Sequence, residues 1–191
     1  MSETTKTKRR EKNVWKGTAA GLIGGVVASW AMNQFQAAWT KAAEGFEKPH
    51  GAKSMQPTDG GNSGAASEEN KENQDNATVK AASAISENIF GHELKEWEKE
   101  AAGASVHYAF GMATGGLYGG VAEFVPEVTA GAGLPFGAAF WLDADETAVP
   151  LLGLSKPPTE YPISTHVYAF ASHLVYGLTT EVVRSALRKT F

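Results

Sequence analysis

The stretch ISTHVYAFASHLVYGLTTEVVR, residues 163–184, decides how the chain is read. At about 1.5 Å of rise per residue, a helix of roughly 20 residues crosses a hydrocarbon core of about 30 Å. This segment is long enough, yet it carries His166, His173 and Glu181. Ionisable groups are costly in hydrocarbon, so they are expected to face a protein interior. The expectation is an all-α, polytopic membrane bundle of about four transmembrane helices with a large extracytoplasmic insertion.

Composition agrees once it is read by segment. The chain has 191 residues, a net charge of −4 and no cysteine. Disulfides, thiolate metal sites and cysteine nucleophiles are therefore excluded. The acidic balance gives no support for a nucleic-acid partner. Residues 1–16 are basic through Lys6, Lys8, Arg9, Arg10, Lys12 and Lys16. A basic run before an apolar one is read as a cytoplasmic tail and an uncleaved first span rather than an export signal.

Walking outward, residues 17–39 form the first expected span. Gly17, Gly21, Gly25 and Ser29 recur every fourth residue, a pattern that lets another helix backbone approach closely. Residues 40–77 are a polar loop whose Gly, Ser, Asn and Glu content is too poor in apolar groups to form a core, so disorder is expected. Residues 78–101 have apolar positions at three- and four-residue steps, which predicts one amphipathic helix. It either lies along the membrane surface or packs on the protein's own loop. The second span, 102–125, carries a ladder of Gly111, Gly115 and Gly119. Segment 130–154 is interrupted by Asp143, Asp145 and Glu146 and contains Pro150. It reads as one crossing or as a broken helix buried in protein. Residues 163–184 are the fourth span, and 185–191 a basic cytoplasmic tail. Basic flanks at both ends place both termini in the cytoplasm.

Span two has Ser105-x-His107, Tyr118-Gly119 and Glu123; span four has Ser164-x-His166, Tyr176-Gly177 and Glu181. With one gap the two match, suggesting two related hairpins. HYAFG at 107–111, GAGLPFGAAFWLDADE at 131–146, PLLGLS at 150–155, PPTEYP at 157–162 and HVYAFASHLVYG at 166–177 resemble the YagU-like family of bacterial inner-membrane proteins, a domain of unknown function. The resemblance implies a bacterial inner membrane and supplies no reaction.

The candidate polar interior is His107, His166, His173, Glu123, Asp143, Asp145, Glu146 and Glu181. His166 and His173 lie seven residues apart, two helical turns, and so share a face. Two readings are open: a proton-responsive set, since histidine titrates near neutral pH, or polar groups that bond their neighbours and pack the bundle. Asp143, Asp145 and Glu146 also fit a solvated helix end, and Glu123 and Glu127 a hydrated turn. Trp15, Trp39, Trp141 and Tyr161 read as an aromatic belt. No dense histidine cluster marks a metal site and no GxSxG elbow marks a serine nucleophile, so neither cofactor nor enzyme is expected. The leading expectation is a non-enzymatic inner-membrane protein concerned with pH response, acid tolerance, or proton or small-solute movement. A second is an assembly protein whose glycine ladders make a homo-oligomer or dock another membrane protein. A third is a metal-dependent membrane enzyme using His107, His166 and His173.

Overall fold

The computed structural model describes residues 12–42 and 77–190, and among these every regular element is helical. The expected polar loop, most of the basic N-terminal tail and Phe191 lie outside the described residues. The helices are α1 (Val14–Ala42), α2 (Ala77–Ile85), α3 (Glu96–Phe124), α4 (Leu134–Asp143), the single turn α5 (Val149–Leu151) and α6 (Ile163–Thr190).

Glycine sets how α1 meets α3. A Cβ on Gly115 would lie 2.7 Å from Gly25 Cα, and one on Gly119 would lie 2.8 Å from Gly21 Cα. A Cβ on Gly25 would meet Met112 Cα at 3.1 Å and the backbone of Gly111, while Gly17 abuts Gly119 and Glu123. The two ladders read from sequence therefore interdigitate with each other, in antiparallel register. Their small residues bring backbone against backbone, which is where the dispersion contacts of this pairing arise. The ladders are filled within one chain, so they are not free to dock a second copy.

A second glycine seam, not singled out in the sequence, joins α4 to α6. A Cβ on Gly177 would lie 2.7 Å from Gly137 N, and one on Gly137 would lie 3.2 Å from Leu174 Cα. Gly133 has φ 85°, and a Cβ there would also sit 2.8 Å from Gly177 C, so backbone and space both demand glycine. Gly24 on α1 rests against Thr180 on α6. The result is an up-down-up-down arrangement of α1, α3, α4 and α6. Asn13, Glu123 and Arg188 meet at one end, here the terminal end. Trp39, His166 and Glu146 mark the other, the loop end.

Several sequence expectations need correction. The single amphipathic helix over 78–101 is instead α2, a π-helical turn over Ser86–Phe90 and the first turn of α3. Gly91, with φ 63°, ends the turn. Lys95 N then donates to Glu98 Oε2 at 2.8 Å and starts α3 afresh. α2 lies on α3 where Gly103 meets Val79. In segment 130–154, left open between one crossing and a broken helix, the backbone is non-helical at Ala130, Gly131 and Ala132, and from Leu134 the chain is helical through α4, a π turn over Ala144–Ala148 and α5. The expected C-terminal tail is helix as far as Thr190.

Among the described residues, no helix is both long and apolar enough to cross a membrane. The four-span expectation thus gains nothing from helix hydropathy. The physical cause is visible in the packing. Glycines fill the seams and polar side chains fill the interior, so the mean over each helix is low even where its outer face is apolar.

Candidate functional site

The polar groups of the bundle form two sets separated by aromatic rings. Phe136 stacks on Tyr118 at 4.2 Å between centroids, and Phe140 lies 5.1 Å from both Tyr176 and His173. Tyr176 is buried and its hydroxyl donates to the Gly111 carbonyl at 2.5 Å, across from α6 to α3. This layer is the core: Ala28, Met32 and Tyr176, flanked by Phe136 and Phe140.

Towards the terminal end lies an ionic set. Arg188 Nε and Nη2 donate to the two carboxylate oxygens of Glu123 at 2.7 and 2.8 Å. Asn13 N adds a bond to Glu123 Oε2 at 3.0 Å. One turn back on α6, Arg184 grips Glu181 through Nε and Nη2 at 2.7 and 2.8 Å. Tyr118 OH donates to Glu181 Oε2 at 2.9 Å. Both pairs are bidentate, the geometry in which a guanidinium and a carboxylate bond most strongly. Their four side chains are between 3% and 10% exposed. The Glu123 carboxylate holds the Arg188 guanidinium above its ordinary pKa, so this cation keeps its charge. Glu123 is therefore no hydrated turn residue. Arg184, at the end of the expected fourth span, and Arg188, in the expected basic tail, are buried partners. The cue was available: arginines at 184 and 188 continue the stripe of Tyr176, Gly177 and Glu181 at three- and four-residue steps.

Towards the loop end lies a histidine–carboxylate set. His166 Nδ1 is 2.6 Å from Glu146 Oε1, and its Nε2 donates to the Pro158 carbonyl at 3.1 Å. His166 thus ties α6 to the π turn and to the short 3-10 turn Pro158–Glu160. His173 Nδ1 donates to the Ala169 carbonyl at 2.9 Å. Asp145 Oδ2 is 3.5 Å from the same nitrogen, and this buried oxygen accepts no hydrogen bond. His107 Nε2 is also buried without a partner, and His107 is near enough to His173 for the rings to interact electrostatically. Tyr168 OH and both amide atoms of Gln36 are likewise buried and unpartnered.

Of the eight sequence-derived residues, His166, His173, Asp145 and Glu146 come together, with His107 alongside. Glu123 and Glu181 belong to the ionic set. Asp143 joins neither, being exposed on the outside of α4. Two residues along a helix turn the side chain by about 200°, so Asp143 and Asp145 point to opposite faces. Of the expected aromatic belt, Trp15 is 84% exposed, whereas Trp39 packs on Tyr168 and Trp141 on Phe170. Among the described residues, no group of three or more His, Asp or Glu side chains is arranged to hold a metal ion. His107, His166 and His173 do not converge as a triad.

A family model described as "Protein of unknown function (DUF1440)" matches residues 75–182, more than half of the chain. The match spans α2 to most of α6 and so includes the whole histidine–carboxylate set. No curated protein and no solved structure is significantly similar to the chain.

Proposed function

The chain belongs to the DUF1440 family, whose function is unknown, and from that premise we propose that it is a multi-pass protein of a bacterial inner membrane whose polar interior responds to pH. One observation carries this reading: the bundle is polar inside and apolar outside. Between Gly17 and Ala38, the exposed residues of α1 include Ile23, Val26, Val27 and Trp30, and none is charged. On α3, Phe110, Met112, Leu117, Val121 and Phe124 are exposed, and no exposed residue between Ala101 and Val125 is charged. On α6, Ile163, Val167, Leu178 and Val182 do the same. Meanwhile Gln36, His173, Glu181, Arg184 and Arg188 are buried.

In water this arrangement is doubly unfavourable. It leaves apolar surface hydrated and withdraws charge from solvent. In a bilayer the same surface needs no covering, and the ionic groups are placed away from lipid. A contiguous exposed apolar surface also marks a contact with something apolar. The low helix hydropathy arises from the interior residues, which lipid does not meet. Both termini of the bundle lie at one end, which fits the cytoplasmic placement of the two basic flanks.

Within that setting, the loop-end set is the sensing element. His166 and Glu146 hold a proton between them at 2.6 Å, and His166 also fastens the prolyl turn. A change of protonation there alters how the 155–162 connection is held. The aromatic layer between the two polar sets favours a pH response, or gated movement of protons or small solutes, over an open path. An assembly role has less support, because the glycine ladders are consumed by α1 and α3. A role as a metal enzyme has none from the described side chains.

The test has two parts. Expression in a bacterium followed by alkaline carbonate extraction should leave the protein in the inner-membrane pellet; recovery in the supernatant would overturn the location. In lipid nanodiscs, tryptophan fluorescence should change with pH between about 5 and 8, where histidine ordinarily titrates. His166→Phe together with His173→Phe should flatten that change. An unaltered profile in the double variant would reject the pH role.

A further inference from the structure

α4 packs inward on two sides. Gly133 and Gly137 meet α6 at Gly177 and at His173 and Leu174, while Phe136 and Phe140 meet Tyr118 and Phe110 of α3. The opposite face is open. Pro135, Ala139, Leu142 and Asp143 are exposed there, followed by Thr147 in the π turn and Leu151 in α5. Among the described residues, none hydrogen-bonds or ion-pairs with Asp143. Asp145 and Glu146 turn inward to His173 and His166, so of the three neighbouring carboxylates Asp143 alone faces out.

Depth, not exposure alone, sets this carboxylate apart. Gly137 lies against His173 and Leu174, and Glu146 reaches His166. Asp143 falls between them on the same run and so stands level with residues 167–170 of α6. Val167 is exposed at that level, and Ile163, one turn nearer the loop end, is 80% exposed. On the α4–α5 run itself, Leu151 and Leu152 lie about two turns beyond Asp143 and are 81% and 72% exposed. The apolar exterior therefore continues past Asp143 towards the loop end, and the carboxylate is not at its margin. In the membrane reading, on which this inference rests, Asp143 faces acyl chains. Ionisable groups at such a depth pair with another group or line a polar interior. Asp143 does neither within its own chain.

We infer that the open face of α4 docks a transmembrane helix of another protein, one that carries a lysine or arginine at the level of Asp143. The flanking positions admit a close approach. Ala139 and Thr147 stand one turn to either side of Asp143, and small side chains let a second backbone come near. The Thr147 hydroxyl is already bonded to the Leu142 carbonyl at 2.8 Å, so the carboxylate is the group left to be matched. A second copy of this chain fits less well. The residues that α1, α3 and α6 expose at this depth are uncharged. Lys41, in the last turn of α1, and Lys156, in the 155–162 connection, stand at the loop-end margin, from which a lysine extends towards water. Two copies meeting through α4 would set carboxylate against carboxylate.

The full chain, carrying a fluorescent donor at Lys189→Cys, is reconstituted in phosphatidylcholine vesicles with acceptor-labelled synthetic helices. These are leucine-rich, about 20 residues long, and bear lysine, asparagine or leucine about two turns from one end. Energy transfer should reach half its maximum at about tenfold less lysine helix than leucine helix, the size expected of one interhelical polar contact in lipid. Asp143→Asn should remove that preference and Asp143→Glu should keep it. Thr147→Leu, which adds bulk beside the carboxylate, should weaken association with the lysine helix. Because Asp143 bonds nothing among the described residues, Asp143→Asn should melt like wild type. Should it fail to fold, the wild-type comparison of the three helices and Thr147→Leu still decide. Equal association of all three helices overturns the proposal, as does equal association of the lysine and asparagine helices, which hydrogen bonding alone would give. Energy transfer between donor- and acceptor-labelled copies of the chain, abolished by Asp143→Asn, would assign the face to a second copy and also overturn it. Recovery in the supernatant on carbonate extraction overturns the membrane reading and this one together. A chain that stays in the pellet and shows no preference for lysine overturns this one alone.

Discussion

Breaking the Glu123–Arg188 pair from one side should cost far more than removing it whole. At 2.7–2.8 Å and an effective dielectric of about 20, the gross attraction of two unit charges is about 6 kcal/mol. Each ion gives up several kcal/mol of hydration on burial, so the pair as a unit is near neutral against an apolar pair of similar volume. Arg188→Met keeps the length of the side chain and removes its charge. Glu123, 5% exposed, would then lose the guanidinium that neutralises it and keep its bond from Asn13 N. Removing one partner of a buried ion pair costs about 3–5 kcal/mol. Glu123→Leu removes the carboxylate that grips Arg188 and should cost a similar amount. The double variant removes both charges and should lie within about 1–2 kcal/mol of wild type, giving a coupling of about 3 kcal/mol or more. Unfolding in mixed micelles of mild and denaturing detergent, followed by far-ultraviolet circular dichroism, measures all four corners of the cycle. Additive losses, or an Arg188→Met cost below about 1 kcal/mol, would refute the argument by showing that water reaches the pair.

Two further outcomes follow from the same contacts. Gly115→Leu should loosen the α1–α3 seam, because even its Cβ would lie 2.7 Å from Gly25 Cα. The loss should reach or exceed the about 1–3 kcal/mol usual for overpacking, since backbone rather than a side chain must yield. The same unfolding assay checks it, with the exposed Ala113→Leu as a control. At the start of α3, the Lys95 backbone N–H holds the Glu98 carboxyl below its ordinary pKa. A lowered folded-state value means that this contact stabilises above the unfolded-state pKa. The stabilisation is lost as pH falls through the folded-state value. Amide exchange at residues 95–99, corrected for its intrinsic pH dependence, should therefore show protection falling on acidification below about pH 4.5. Glu98→Gln should remove most of that pH dependence.

Much of the bundle was legible without coordinates because its devices repeat locally. Glycine every fourth residue keeps one helix face flat, and both ladders proved to be packing faces. His166 and His173 at a seven-residue step were bound to share a side. Where a local pattern has two solutions, sequence alone does not choose between them. Residues 78–101 look like one amphipathic helix because periodicity is blind to the left-handed Gly91 that divides them. Arg184 and Arg188 look like a basic flank, since sequence shows charge but not what lies opposite.

The sequence by itself determined that the chain is helical, that its second and fourth long helices carry ionisable groups on defined faces, and that α1 and α3 have faces made for close approach. Tertiary structure alone decided the pairings. Glu123 and Arg188 are 65 residues apart, Tyr118 and Glu181 are 63 apart, and no local rule links them. It also decided that the ladders close on each other and that Asp145 turns inward while Asp143 turns out. The physical reason is that periodicity fixes which residues share a face. Which face meets which depends on helix rotation and register, and those are settled only when all four long segments pack at once.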